Sequence, residues 1–160
     1  MEGENVLDES VEKRDDGLSK TENRNVFSVL NDSSIDKDIL MVHTTMDGCS
    51  PCKNLSNAID ELEDEYDQVI FFECDTNDSP KIKDFLVERG MFAHPSIVIT
   101  NGELIFWKMG AGTVEEEKEF YRSVFDAMLE GNIQMNREKR RVEVFTEDDE
   151  KIEFGGQVIE

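Results

Sequence analysis

The sequence predicts an α/β layered domain, a central mixed sheet flanked by helices. Three observations carry this. Two nearly continuous apolar runs, residues 39–45 and 69–74, are each followed by a helical pattern. An Asn101-Gly102 pair separates two further strand-like runs. A helix-start signal at Thr113 then opens a third amphipathic stretch. Strand, helix, strand, helix, hairpin, helix, in that order, implies a parallel pair joined by a crossover helix and an antiparallel pair added beside it.

The elements follow in chain order. Residues 1–24 hold few apolar groups among many charges and are expected to form a disordered, acidic N-terminal extension. Val26-Phe27-Ser28-Val29-Leu30 fits a short strand or a helical turn. Ile39 to Thr45 reads as a central strand covered on both faces. From Pro51 to Tyr66, apolar residues at 55, 59, 62 and 66 give a helical spacing with acids opposite. Residues 69–74 form the second buried strand. Ser79-Pro80 looks like an N-cap with proline at the first helical position, and Gly90 ends that helix. Residues 96–100 and 103–108 flank Asn101-Gly102, a pair suited to a type I′ hairpin turn. Thr113 and Glu116 form a capping box for a helix with Phe120, Val124 and Met128 on one face and Gly131 as its stop, although helix-compatible polar residues continue to Arg141. Residues 142–145 and 152–154 could pair as a hairpin or remain a tail. The expected division is an extension over 1–24, a domain over 25–135 and a charged tail or short hairpin over 136–160.

The net charge of −21 lies mainly in the body, where residues 25–135 carry 22 acids against 8 bases. Such a surface disfavours direct binding to nucleic acid or to an anionic membrane, both of which require basic patches. It serves solubility or steers basic partners. No apolar run approaches the roughly 20 residues that span a bilayer, and the first residues lack the basic and apolar regions of a signal peptide. The expectation is a cytoplasmic monomer. In a reducing compartment three cysteines do not make a structural disulfide framework.

The segment richest in chemistry is Gly48-Cys49-Ser50-Pro51-Cys52-Lys53. On the first turn of a helix, positions three apart share a face, so the two sulfurs can meet. Unpaired backbone N–H groups and the positive helix end favour the thiolate of Cys49. Pro51 is tolerated there because first-turn amides lack intrahelical partners. The spacing points to thiol–disulfide exchange.

With this motif after a buried strand, residues 26–131 resemble the thioredoxin family. Cys49-Ser50-Pro51-Cys52-Lys53 matches its Cys-Gly-Pro-Cys-Lys, His94-Pro95-Ser96 its cis-proline segment, Asn101-Gly102 its hairpin turn, and Gly110 the glycine after its last strand. The resemblance implies a thioredoxin fold, Cys49 as attacking thiolate, Cys52 as resolving thiol, and Pro95 in cis against the disulfide. It also implies that Gly48, Ser50, Pro51, His94 and Gly110 contact the substrate, with the His94 backbone pairing to a bound strand. No cofactor is implied. The partners implied are protein disulfides and a thioredoxin reductase as electron donor.

Two departures stand out. The family's tryptophan before the first cysteine is Gly48 here, so the rim loses its flat aromatic surface; the only tryptophan, Trp107, falls on the expected last strand as core or edge packing. The family's buried aspartate behind the second cysteine aligns with His43, and the lysine beside it aligns with Glu73. An imidazole titrates near neutrality without the desolvation a carboxylate needs. His43, oriented by Glu73, can therefore serve as base for the resolving thiol, or be a plain strand histidine. His94 either stabilises the Cys49 thiolate or meets the substrate, or does neither. Cys74 follows Glu73 and by alternation faces away from that pair, as a packing thiol. Asp47 and Lys53 tune local charge or are simply solvated.

Competing readings are a binding module or accessory subunit docking a protein partner, with redox chemistry incidental, and a metal site. The two cysteines supply only half of a structural zinc set, so the latter would need His43, His94 or a second subunit.

Overall fold

The computed structural model describes residues 11–13 and 36–159. Its core is an eight-stranded sheet in the order β1-β3-β2-β4-β5-β8-β7-β6. The strands are β1 (Val11–Lys13), β2 (Ile39–Thr45), β3 (Val69–Asp75), β4 (Ser96–Thr100), β5 (Leu104–Met109), β6 (Ile133–Asn136), β7 (Arg141–Phe145) and β8 (Lys151–Val158). Among the described residues only β2 and β3 pair in parallel, with helix α1 (Ser50–Glu63) as their crossover, while every other neighbour pair is antiparallel.

The apolar runs are explained by two cores. Ile39, Met41, Val69 and Phe71 point to one face, under α1 and α3 (Val114–Leu129). Leu40, Val42, Ile70, Phe72 and Cys74 point to the other, under α2 (Pro80–Glu88). A strand with a helix layer on each side has no solvent face, so both sets of alternating side chains are apolar. α1 buries Leu55, Ile59 and Leu62 as its spacing predicts but ends before Tyr66. That tyrosine instead donates from its hydroxyl to Asp126 Oδ1 on α3 at 2.8 Å, with its ring edge-on to Phe125. α2 begins at Pro80 after Ser79, whose side chain makes no capping bond to the helix. The capping box of Thr113 and Glu116 is present in full.

Three expectations change in detail. The hairpin turn is not type I′, which needs a positive φ at both central residues. Of that pair only Gly102 has one, and Thr100 pairs with Ile105, making the loop two residues longer. Asn101 closes it with its side chain, its Oδ1 accepting from the N–H groups of Glu103 and Leu104. Second, within the segment expected to be a disordered extension, Val11–Lys13 pairs with β3; the rest of that segment, and residues 26–30, lie outside the described residues. Third, β5 is not the last strand. The chain leaves α3 at Gly131, lays down β6 rather than continuing as helix to Arg141, and returns as the β7–β8 hairpin against β5. The boundary expected at residue 135 thus falls inside β6.

Glycine permits this junction. A Cβ on Gly156 would collide with the Val142 side chain and the backbone oxygen of Ile105, and one on Gly155 would run into the Trp107 indole. On the Gly156 face Val142, Val144 and Phe154 complete the core beneath α3.

Candidate active site

The site is assembled where β2 runs into α1. Gly48 has φ +77°, which any side chain would strain, and turns the chain so that Cys49 becomes the N-cap of α1. The Cys49 sulfur occupies the place of a capping oxygen, accepting the Cys52 N–H at 3.2 Å, while the Cys49 carbonyl accepts from Lys53. A sulfur held at the open end of a helix is where negative charge is most favoured. Cys49 and Cys52 are joined as a disulfide with their Cα atoms 5.3 Å apart. Their access differs: Cys52 is only 2% exposed, whereas Cys49 is half-buried and Ser50 and Pro51 are exposed.

Across from the disulfide runs the loop carrying the cis His94–Pro95 peptide. The His94 carbonyl oxygen lies 3.9 Å from Cys49 Sγ and takes no backbone hydrogen bond among the described residues. Pro95 is buried, and its carbonyl accepts the Gly110 N–H at 2.8 Å, which draws the end of β5 against the same loop. Thr44, absent from the sequence-derived set, secures both flanks of this peptide. Its Oγ1 accepts the Ser96 N–H at 2.8 Å and lies 3.0 Å from His94 Nδ1. The side chain of His94 is therefore fixed from β2 rather than by the disulfide.

Beside α1 is the pair that the family resemblance singled out. His43 and Glu73 are register partners on β2 and β3, with Nε2 4.0 Å from Oε1; His43 is fully buried and Glu73 partly so. Ser56, one turn beyond Cys52 on α1, donates to Glu73 Oε1 at 3.0 Å. Its i+4 spacing from Cys52 was the signal that could have found it. Cys74 points to the opposite core, where burial pushes its thiol up to about 12. That thiol stays protonated at neutral pH. Cys74→Ala is expected to cost about 1 kcal/mol of stability and to leave disulfide turnover unchanged, as read from a denaturant melt and a turnover assay on one preparation.

The rim is less bare than the loss of the tryptophan suggests. Met46, Phe92 and Met109 stand 46%, 71% and 45% exposed, each within two residues of Gly48, His94 or Gly110. Asp47 and Lys53 are exposed beside the motif. Trp107 lies away from the rim, edge-on to Phe85 with the Arg89 guanidinium over both rings.

Solved structures similar to this chain include thioredoxins. Mitochondrial thioredoxin 3 of Saccharomyces cerevisiae in its oxidised form is 30% identical, the match covering 54% of this chain and 79% of that one at a TM-score of 0.42. Fasciola hepatica thioredoxin is 20% identical over 54% of this chain and 83% of that one, TM-score 0.42. A point mutant of the thioredoxin from Halobacterium salinarum is 20% identical over 59% and 80%, TM-score 0.44. No family model and no curated protein matches the sequence.

Proposed function

The chain belongs to the thioredoxin family, and on that premise we propose that it is a protein-disulfide reductase acting through Cys49 and Cys52. The observation that carries the reading is the half-buried Cys49 at the helix N-cap, its sulfur bonded to a buried Cys52. In the reduced protein the Cys49 thiolate attacks a substrate disulfide, forming a mixed disulfide and releasing one substrate sulfur as thiolate. Cys52 then loses its proton and attacks Cys49 Sγ. The second substrate sulfur leaves, takes up a proton, and the intramolecular disulfide remains. The substrate gains two electrons and the cysteine pair gives them up. In this reading His43, with Glu73 and Ser56 behind it, is the base for Cys52. The segment around the substrate disulfide lies across Gly48, Ser50, Pro51 and Gly110 and pairs with the His94 backbone, which has no backbone partner of its own among the described residues.

The proposal extends to a thioredoxin reductase as electron source, a monomeric state and a cytoplasmic location. Retention of both cysteines beside Pro95 favours exchange over a docking role alone. The test is reduction of insulin disulfides, with dithiothreitol or with NADPH and a thioredoxin reductase. Insulin should precipitate much faster than with dithiothreitol by itself. No acceleration with either donor would sink the reading.

A further inference from the structure

Among the described residues, a groove rich in arginine lies beside the C-terminal strands, beyond the active site. Two adjoining hollows, of about 860 and 460 Å³, share Arg89 and Trp107 as their common wall. The larger reaches Arg137 and Arg140 at the β6–β7 turn. The smaller reaches Met91 and Met109. Met91 also borders a third hollow, of about 100 Å³, that contains His94. The three hollows thus follow one another through shared wall residues, from His94 beside the disulfide to the turn.

Its charge runs against the rest of the molecule. The turn is built from Asn136-Arg137-Glu138-Lys139-Arg140-Arg141, in a chain whose net charge is −21. In the larger hollow three guanidiniums, of Arg89, Arg137 and Arg140, face one carboxylate, Glu88, 3.6 Å from Arg89. Arg137 and Arg140 are exposed and form no ion pair among the described residues. Arg89 is held in place, stacked 3.5 Å above Phe85 and donating to Gln157 Oε1 and to the Phe85 carbonyl. Guanidiniums bind carboxylates in a forked geometry, and the indole and thioether beside them give the intervening chain an apolar floor.

We propose that this groove holds an acidic stretch of the disulfide-bearing protein substrate, extended along β8 while its disulfide reaches Cys49. The identity of the occupant rests on the reductase reading; the charge of the groove does not. A long polyanion such as RNA would run from the groove onto the acidic body, whereas a short acidic peptide fits within it.

Trp107, the only tryptophan in the chain, reports occupancy directly. The oxidised full-length protein is titrated with an eight-residue Asp/Glu peptide lacking cysteine. A saturable fluorescence change that weakens with salt is expected. Arg137→Glu with Arg140→Glu, both on an exposed turn, should lower affinity about tenfold or more, with an unchanged melting temperature showing that the fold is intact. A second measurement uses two peptides with the same disulfide, one with an acidic tail and one with a serine tail. The acidic one should show a KM about tenfold lower in the parent protein and no advantage in the double variant. Reduction of neutral 2-hydroxyethyl disulfide should be equal in both proteins. Equal KM values and a silent Trp107 overturn the groove, as does tighter binding of an oligonucleotide of matched charge. Peptide binding by a protein that reduces nothing keeps the groove and overturns the reductase reading.

Discussion

Replacing Cys49 with serine is expected to abolish disulfide reduction, while replacing Cys52 with serine turns the protein into a trap for its substrates. The asymmetry follows from access and from the helix end. Cys49 is half-buried, and its sulfur stands where the first-turn N–H groups can stabilise a thiolate. Cys52 is 2% exposed, too enclosed for a protein disulfide to reach, though close enough to attack Cys49 from within. A serine at 49 leaves no accessible thiolate, and the rate falls to that of the assay without protein. A serine at 52 still permits the first attack but cannot expel the second substrate sulfur, so a mixed disulfide accumulates. Mass spectrometry of Cys52→Ser with a disulfide peptide should find one adduct, on Cys49. An adduct on Cys52 in the Cys49→Ser protein would reverse the roles.

The second large effect is expected at His43. Its imidazole is fully buried on the α1 side of β2, with Glu73 4.0 Å away and Ser56 donating to that carboxylate. General-base help is commonly worth about 10²–10⁴ in rate, and because a thiol is already acidic the effect here should be about 10² or less. His43→Ala should slow resolution of the mixed disulfide by that factor and leave its formation much less affected. Glu73→Gln should act in the same direction more weakly, by loosening the imidazole. His43→Asp together with Glu73→Lys should recover part of the loss, since residues in contact act as a unit. The quantity to follow is the stopped-flow rate of the second step against pH. If His43→Ala leaves that rate and its pH profile unchanged, solvent takes the proton and His43 is a strand residue only.

Much of the site was legible because it depends on short-range rules. A helix-start spacing brought Cys49 and Cys52 together, and strand alternation separated Cys74 from Glu73. The parallel register then made neighbours of His43 and Glu73. What stayed hidden depends on distant partners. Nothing near Thr44 in the sequence shows that its hydroxyl will bind both sides of a peptide fifty residues on. The C-terminal strands were left open for the same reason. Val142 and Val144 alternate with Arg141 and Glu143, but a pattern of two says only that a strand exists, not which edge it joins. The turn at Asn101-Gly102 differed in register because the asparagine side chain competed successfully for the backbone donors. For Trp107, read as core or edge packing, the edge alternative held only while β5 was taken as the last strand.

That β5 is enclosed has a consequence in time. A strand with unpaired N–H and C=O groups is a template for another chain, and proteins shield such rows. Here the shield is β8, which pairs Gly155 with Trp107, about 50 residues later in a chain synthesised at about 5–20 residues per second. For the first seconds of its existence, β5 therefore waits with one side open, beside strands already able to pair. The hairpin that closes it is a late cover. The new margin of the described sheet is β6, only four residues long and running straight into the Arg-rich turn, and so a poor template for a neighbouring copy.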